Sequence, residues 1–221
     1  MRTDFGHSTL VKLLGGWAPV DADPAGGDFA ERLSLWVNAF DAIGLQAAHQ
    51  SIRAIATAAP AQARGARPLH ALSIEDEVHA VRAALAHAIA QAPEQAADAD
   101  AAYAPYRQRH QELQRRMEQM IGPLRDHVRQ VLSRVSASLR QLAALDAVME
   151  QVLAPREQLL LPKASVLLER RFQQLRAAAD GDWLQAFGQD WRQALLAELE
   201  LRLEPVTGLL EALANETTHH Q

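Results

Sequence analysis

The stretch Leu113–Val152, LQRRMEQMIGPLRDHVRQVLSRVSASLRQLAALDAVMEQV, decides the fold class. Leu113, Met117, Met120, Leu124, Val128, Val131, Val135, Ser138, Leu142, Leu145, Met149 and Val152 succeed one another in steps of three and four, the spacing that lines one face of an α-helix. Ile121, Leu132 and Leu139 widen that face. A broad stripe suits a globular bundle better than the narrow seam of a two-stranded coiled coil. Two adjoining steps of four, from Met120 through Leu124 to Val128, fall beside Gly122–Pro123. Proline removes a helix hydrogen bond and clashes with the preceding turn, so a kink or break is expected there.

The rest of the chain conforms to the same reading. Of its 221 residues, 48% are hydrophobic but only 5% aromatic, so the core must come from Leu and Val on helices with Ala at close contacts. Alanine favours helix, and no run of Val, Ile and Thr alternates as a strand would. An all-α fold is therefore expected, an elongated or irregular bundle with long proline-kinked helices.

Helices are expected from Ser8 to Trp17, from the Asp28–Glu31 capping box through Phe40, and over 42–58. Another opens at Ser73 with Asp76 and buries Ile74, Val78, Val81, Leu85 and Ile89. Beyond the central stripe, Pro155 and Pro162 predict further breaks around a buried Leu159–Leu160–Leu161 turn, and Lys163–Ala179 forms a helix. A last helix from Trp183, interrupted at Pro205, places Trp183, Phe187, Trp191, Leu195 and Leu199 in the core against the 113–152 stripe. The organisation read from these signals is an N-terminal helical segment (1–58), a linker (59–68), a tethered helix (69–92) and a second linker (93–102). A C-terminal bundle (103–215) and a frayed tail (216–221) complete it.

Composition narrows the function classes. No cysteine is present, which removes disulfides, thiolate catalysis and sulfur-ligated zinc. No window reaches the roughly 20 apolar residues of a membrane span, and Leu10–Leu14 is too short for a secretory signal, so a cytoplasmic protein is expected. Gly15–Gly16 and Gly26–Gly27 lack the Lys and Ser or Thr of a phosphate-binding loop, and no G-x-S-x-G occurs. Asp76 and His79 share a helix face, with His87 further along, but a carboxylate-bridged metal site needs a second such pair. No catalytic residue, metal or cofactor is expected.

Two features suit binding. The net charge is −5, yet Arg107, Arg109, Arg115, Arg116, Arg125, Arg129, Arg134 and Arg140 crowd one stretch against Glu112, Glu118 and Asp126. Arg115, Arg116, Arg125, Arg129 and Arg140 are the candidates for an acidic partner or a phosphate backbone, against the plainer reading of a solvated helix face. Leu10, Leu13, Leu14 and Trp17 could dock in a partner's groove or fold back on the chain's own core.

Several helix-packing segments resemble a family of roughly this length from beta-proteobacteria. They are Thr9–Leu14, Glu31–Trp36 with Asp41–Ile43, Leu142–Asp146, Leu195–Leu199 and Arg202–Pro205. The family's genes stand beside relatives of the flagellar stator pair, a membrane ion channel subunit and a peptidoglycan-binding subunit of the outer-membrane-protein-A type. The resemblance implies a cytosolic accessory of a stator-like complex, as in the third type of Zorya antiphage defence, with other defence proteins as partners. It brings no active-site motif. The expectation is a non-enzymatic interaction protein; a nucleic-acid binder and a structural homo-oligomer are the alternatives.

Overall fold

Helix formation accounts for almost every residue of the computed structural model that can be placed, which are 8–17, 39–57, 67–91, 93, 102–178 and 181–218. In chain order the helices are α1 (Thr9–Trp17), α2 (Ala39–Thr57), α3 (Arg67–Ala90), α4 (Ala104–Val135), α5 (Ala137–Leu160), α6 (Pro162–Ala178) and α7 (Trp183–Thr218). Among the described residues there is no strand, and the fold is an all-α helical bundle. No helix among them is long and apolar enough to cross a membrane. The Asp28–Glu31 capping box and most of the expected 59–68 linker lie outside the described residues; Arg67 and Pro68 already belong to α3, which begins before Ser73.

The prolines do not break the helices they were expected to break. α4 runs through Pro123, α5 through Pro155 and α7 through Pro205, and α7 continues to Thr218 beyond the expected start of fraying. An interior proline costs about 3 kcal/mol or more. Here Gly122, having no Cβ, relieves the crowding that proline imposes on the residue before it, and the buried Ile121 and Leu124 anchor the helix on either side. Pro123 and Pro155 are themselves exposed, so the carbonyls that lose a backbone donor can meet water. Pro162, by contrast, is the first residue of α6, where a fixed φ helps and a missing N–H does no harm.

The break that does occur is at Ser136, inside the apparently continuous stripe. Its hydroxyl accepts from the Leu139 backbone N–H at 3.1 Å, the bond of an N-cap to the third residue of a helix. Arg140 Nε donates to the Ser133 carbonyl at 3.0 Å, which satisfies one of the last acceptors of α4. One serine and one arginine thus close a tight connection between two long helices.

The chain forms two compact units, each drawn from separate segments. The first takes residues 1–26, 82–119 and 157–202; the second takes 27–81, 120–156 and 203–221. Pro123, Pro155 and Pro205 each fall within a few residues of a point where the chain passes from one unit to the other. They mark unit boundaries along continuous helices.

The core of the first unit holds Leu85, Ile89, Leu113, Met117, Leu168, Leu195 and Leu199 around an aromatic cluster. Tyr106 meets Phe187 edge to face at 4.8 Å and Trp191 at 5.5 Å, while Phe172 lies 5.0 Å from Phe187 and 5.2 Å from Trp183. Such tilted and edge contacts are the favoured geometry for ring quadrupoles. Trp183 is the expected core member that stays half-buried. The core of the second unit is aliphatic in its described residues: Ile74, Val78, Val128, Leu132, Leu139, Leu203, Val206 and Leu213.

Candidate functional site

In the first unit, α4 and α7 run parallel and in step. Tyr103 faces Phe187, Tyr106 faces Trp191, and the same progression brings Gln114 to Glu198 and Glu118 to Arg202. Three polar residues spaced by four on α4, His110, Gln114 and Glu118, therefore meet two spaced by four on α7, Glu198 and Arg202. Glu198 is fully buried and His110 only 1% exposed. A buried carboxylate needs several donors to persist as an anion. Gln114 Nε2 reaches both of its oxygens, at 3.0 and 3.1 Å, and Arg202 Nη2 approaches Oε1 at 2.9 Å. His110 Nε2 stands 3.6 Å from Oε2, farther than a hydrogen bond reaches.

Burial alone would raise the Glu198 pKa, but His110, Arg202 and Gln114 together hold it below the ordinary glutamate value. Among the described residues neither ring nitrogen of His110 has a hydrogen-bond partner, and nor does the Trp191 indole N–H. Desolvation also pushes the Tyr103 and Tyr106 hydroxyls up; Tyr103 Oη donates to the Ser165 carbonyl at 2.7 Å. This ladder fixes the register of α4 on α7.

The second unit carries the arginines expected to face a partner. Arg125 donates through Nε and Nη2 to the two oxygens of Asp146, at 2.8 and 2.6 Å, a bidentate pair. Arg129 reaches Asp146 at 3.0 Å, Glu150 at 2.7 Å and Asp126 in its own helix. Both arginine side chains are 12–13% exposed. Burial would lower the Arg129 pKa, but its hydrogen bonds to Asp126, Glu150 and Asp146 carry it above the usual arginine value. The expectation that Arg125 and Arg129 lie on a free basic face is thus corrected: the Ser136 turn folds α5 back so that an acidic pair four apart meets a basic pair four apart.

Arg140 is half-buried at that turn. Arg115 and Arg116 differ from all three. They are exposed, and neither forms an ion pair among the described residues.

The N-terminal segment is placed on the chain itself. Leu10 is buried, Leu13, Leu14 and Trp17 are half-buried, and α1 packs on α6. Arg171, held by Asp190 at 2.8 Å, lies 6.0 Å from the Trp17 ring centre. Val11 is the apolar residue of α1 that stands exposed.

Another apolar group is exposed instead. Leu159 is 71%, Leu160 47% and Val166 51% exposed, all near the connection from α5 to α6. This reverses the expected buried turn: α5 continues to Leu160 through Pro155, so the first two leucines point out from a helix end rather than into a loop interior.

Asp76 and His79 are both exposed, as is His87, whose Nε2 lies 3.2 Å from Gln91 Nε2. Among the described residues no three His, Asp or Glu side chains gather as metal ligands would. His110 and Glu198 are absent from the candidates read in the sequence. The signal for His110 is there nonetheless, since Tyr103, Tyr106, His110, Leu113 and Met117 continue the three-four stepping and put a histidine in the stripe.

No curated protein and no solved structure matches the chain. A match over residues 1–215 covers nearly all of it, and by that match the chain belongs to the family of proteins of unknown function designated DUF3348.

Proposed function

We propose that this is a non-enzymatic helical interaction protein, serving as a cytosolic accessory of an ion-driven, Zorya-like antiphage complex. The observation that carries the interaction role is the exposed Leu159, Leu160 and Val166 beside the α5–α6 connection. Large apolar side chains left in water are unfavourably hydrated, and docking against a partner relieves that cost. The defence role rests on the resemblance of the helix-packing segments to proteins encoded beside stator-like genes. The buried ladder in the first unit and the ion-paired arginines in the second each hold helices in register within their own unit, which leaves other side chains free to meet a partner.

The test is deletion of the gene in a strain whose phage resistance requires the neighbouring stator-like genes. Resistance should be lost with growth unchanged, and Leu159→Glu with Val166→Glu should reproduce the loss in a protein that still folds. Full resistance after deletion rejects the assignment.

Nucleic-acid binding is the second reading, favoured among the candidate arginines by the exposed Arg115 and Arg116. It requires steeply salt-dependent binding that their replacement weakens. A low-salt gel shift that retains no DNA or RNA eliminates it.

A further inference from the structure

Within the second unit, an open groove of about 450 Å³ lies against the end of α4 and the start of α5. Ala143, Ala144 and Ala147 of α5 and Ile55 of α2 are its apolar lining. Gln130 and Arg134 from α4 and Arg140 from α5 line it as well. Small side chains leave the space, and long cationic ones share it.

The charge at this groove is not cancelled from within. Asp126 and Arg129 also line it, but Arg129 is engaged by Asp126, Asp146 and Glu150. Arg134 is exposed and forms no ion pair among the described residues. Arg140 donates Nε to the Ser133 carbonyl at 3.0 Å, and its Nη groups have no partner among the described residues. One guanidinium is therefore anchored by its backbone contact with donors to spare, and a second arginine lines the same groove. Arginine offers planar, paired donors that match phosphate oxygens.

We propose that this groove binds a small organic phosphate, with the phosphate on Arg134 and Arg140 and a short hydrocarbon body on the alanine lining. The volume falls in the range of about 300–1,000 Å³ usual for small-molecule sites, which combine apolar walls with a few convergent polar groups. A soluble phosphate monoester and a phospholipid headgroup share this chemistry. The site is independent of the exposed leucines at the α5–α6 connection.

Calorimetric titration of the full chain with hexyl phosphate tests it, with inorganic phosphate and hexanol run in parallel. Hexyl phosphate should bind saturably and about tenfold more tightly than inorganic phosphate, and Arg134→Gln should weaken it about tenfold, the scale of a hydrogen bond to a charged group. Ala147→Leu, which enlarges a lining side chain, should weaken hexyl phosphate while leaving inorganic phosphate unaffected. Thermal unfolding of each variant confirms that it folds.

Sedimentation with phosphatidylcholine vesicles containing phosphatidic acid separates the two sources. Arg134-dependent retention assigns the lipid headgroup, and hexyl phosphate binding without retention assigns a soluble ligand. Three results overturn the proposal: no saturable binding of hexyl phosphate at millimolar concentration, equal affinity for inorganic phosphate, or full binding by folded Arg134→Gln.

Discussion

The helix α4 carries two polar clusters, both built on four-residue spacing, and they sit at different depths. His110, Gln114 and Glu118 face a parallel helix, and their central acceptor Glu198 is withdrawn from water. Arg125 and Arg129 face an antiparallel one, with Asp146 12% and Glu150 32% exposed. In the first cluster a single buried anion gathers several donors; in the second, two cations share three carboxylates near the surface. Depth rather than the number of contacts sets what each is worth. An uncompensated charge in the interior is costly, while water can replace a lost partner nearer the surface.

Trp191→Ala sharpens the contrast from the apolar side and should have the largest effect. Trp191 is fully buried against Tyr106 within the aromatic cluster. Its truncation should cost about 3–5 kcal/mol in urea unfolding, the usual loss for a large buried aromatic.

Glu198→Gln comes next, at about 2–3 kcal/mol near pH 7, the scale of hydrogen bonds to a charged group. Its pH dependence has a definite sign. The folded pKa lies below the ordinary 4.5, so the carboxylate contributes its full stability above that value and loses it as pH falls through the folded pKa. The stability gap between the natural chain and Glu198→Gln should therefore be constant near neutrality and shrink in acid below about pH 4.5. A gap that widens in acid would contradict the depressed pKa.

Arg115→Ala and Arg116→Ala should have the smallest effect, each within about 0.5 kcal/mol, because both residues are exposed and form no ion pair among the described residues. Thermal unfolding checks this. A loss comparable to that at Glu198 would show that the comparison of depths misplaces them.

The all-α class was legible because three-four stepping in long segments is a strong signal, and Pro162 marked a helix boundary because it falls where α6 begins. Pro123, Pro155 and Pro205 misled for different reasons: Pro123 and Pro155 are exposed, so the freed carbonyls can meet water, while Pro123 and Pro205 are each flanked by buried residues, Ile121 and Leu124 for the first and Leu203 and Val206 for the second. The Ser136 turn was hidden by the stripe itself. Val135 and Ser138 keep the helical step, and only the capping potential of Ser136 betrays the break.

That hidden turn also concealed the arginine pairing. With one long helix, Arg125 and Arg129 look outward; once α5 folds back, Asp146 and Glu150 fall opposite them. Composition registers the basic block but not a partner that reaches it only through tertiary structure. The Leu159–Leu160 exposure follows similarly from helix continuation through Pro155.

Arg125 and Arg129 hold α4 to α5 through Asp146 and Glu150, and a double-mutant cycle between Arg129 and Asp146 measures that hold. Stabilities of the natural chain, Arg129→Ala, Asp146→Ala and the double variant give the coupling, which should be favourable by about 1–2 kcal/mol for a hydrogen-bonded pair whose side chains are each 12% exposed. A coupling indistinguishable from zero, with both single variants as stable as the natural chain, would contradict the account and return these arginines to the solvent-facing surface.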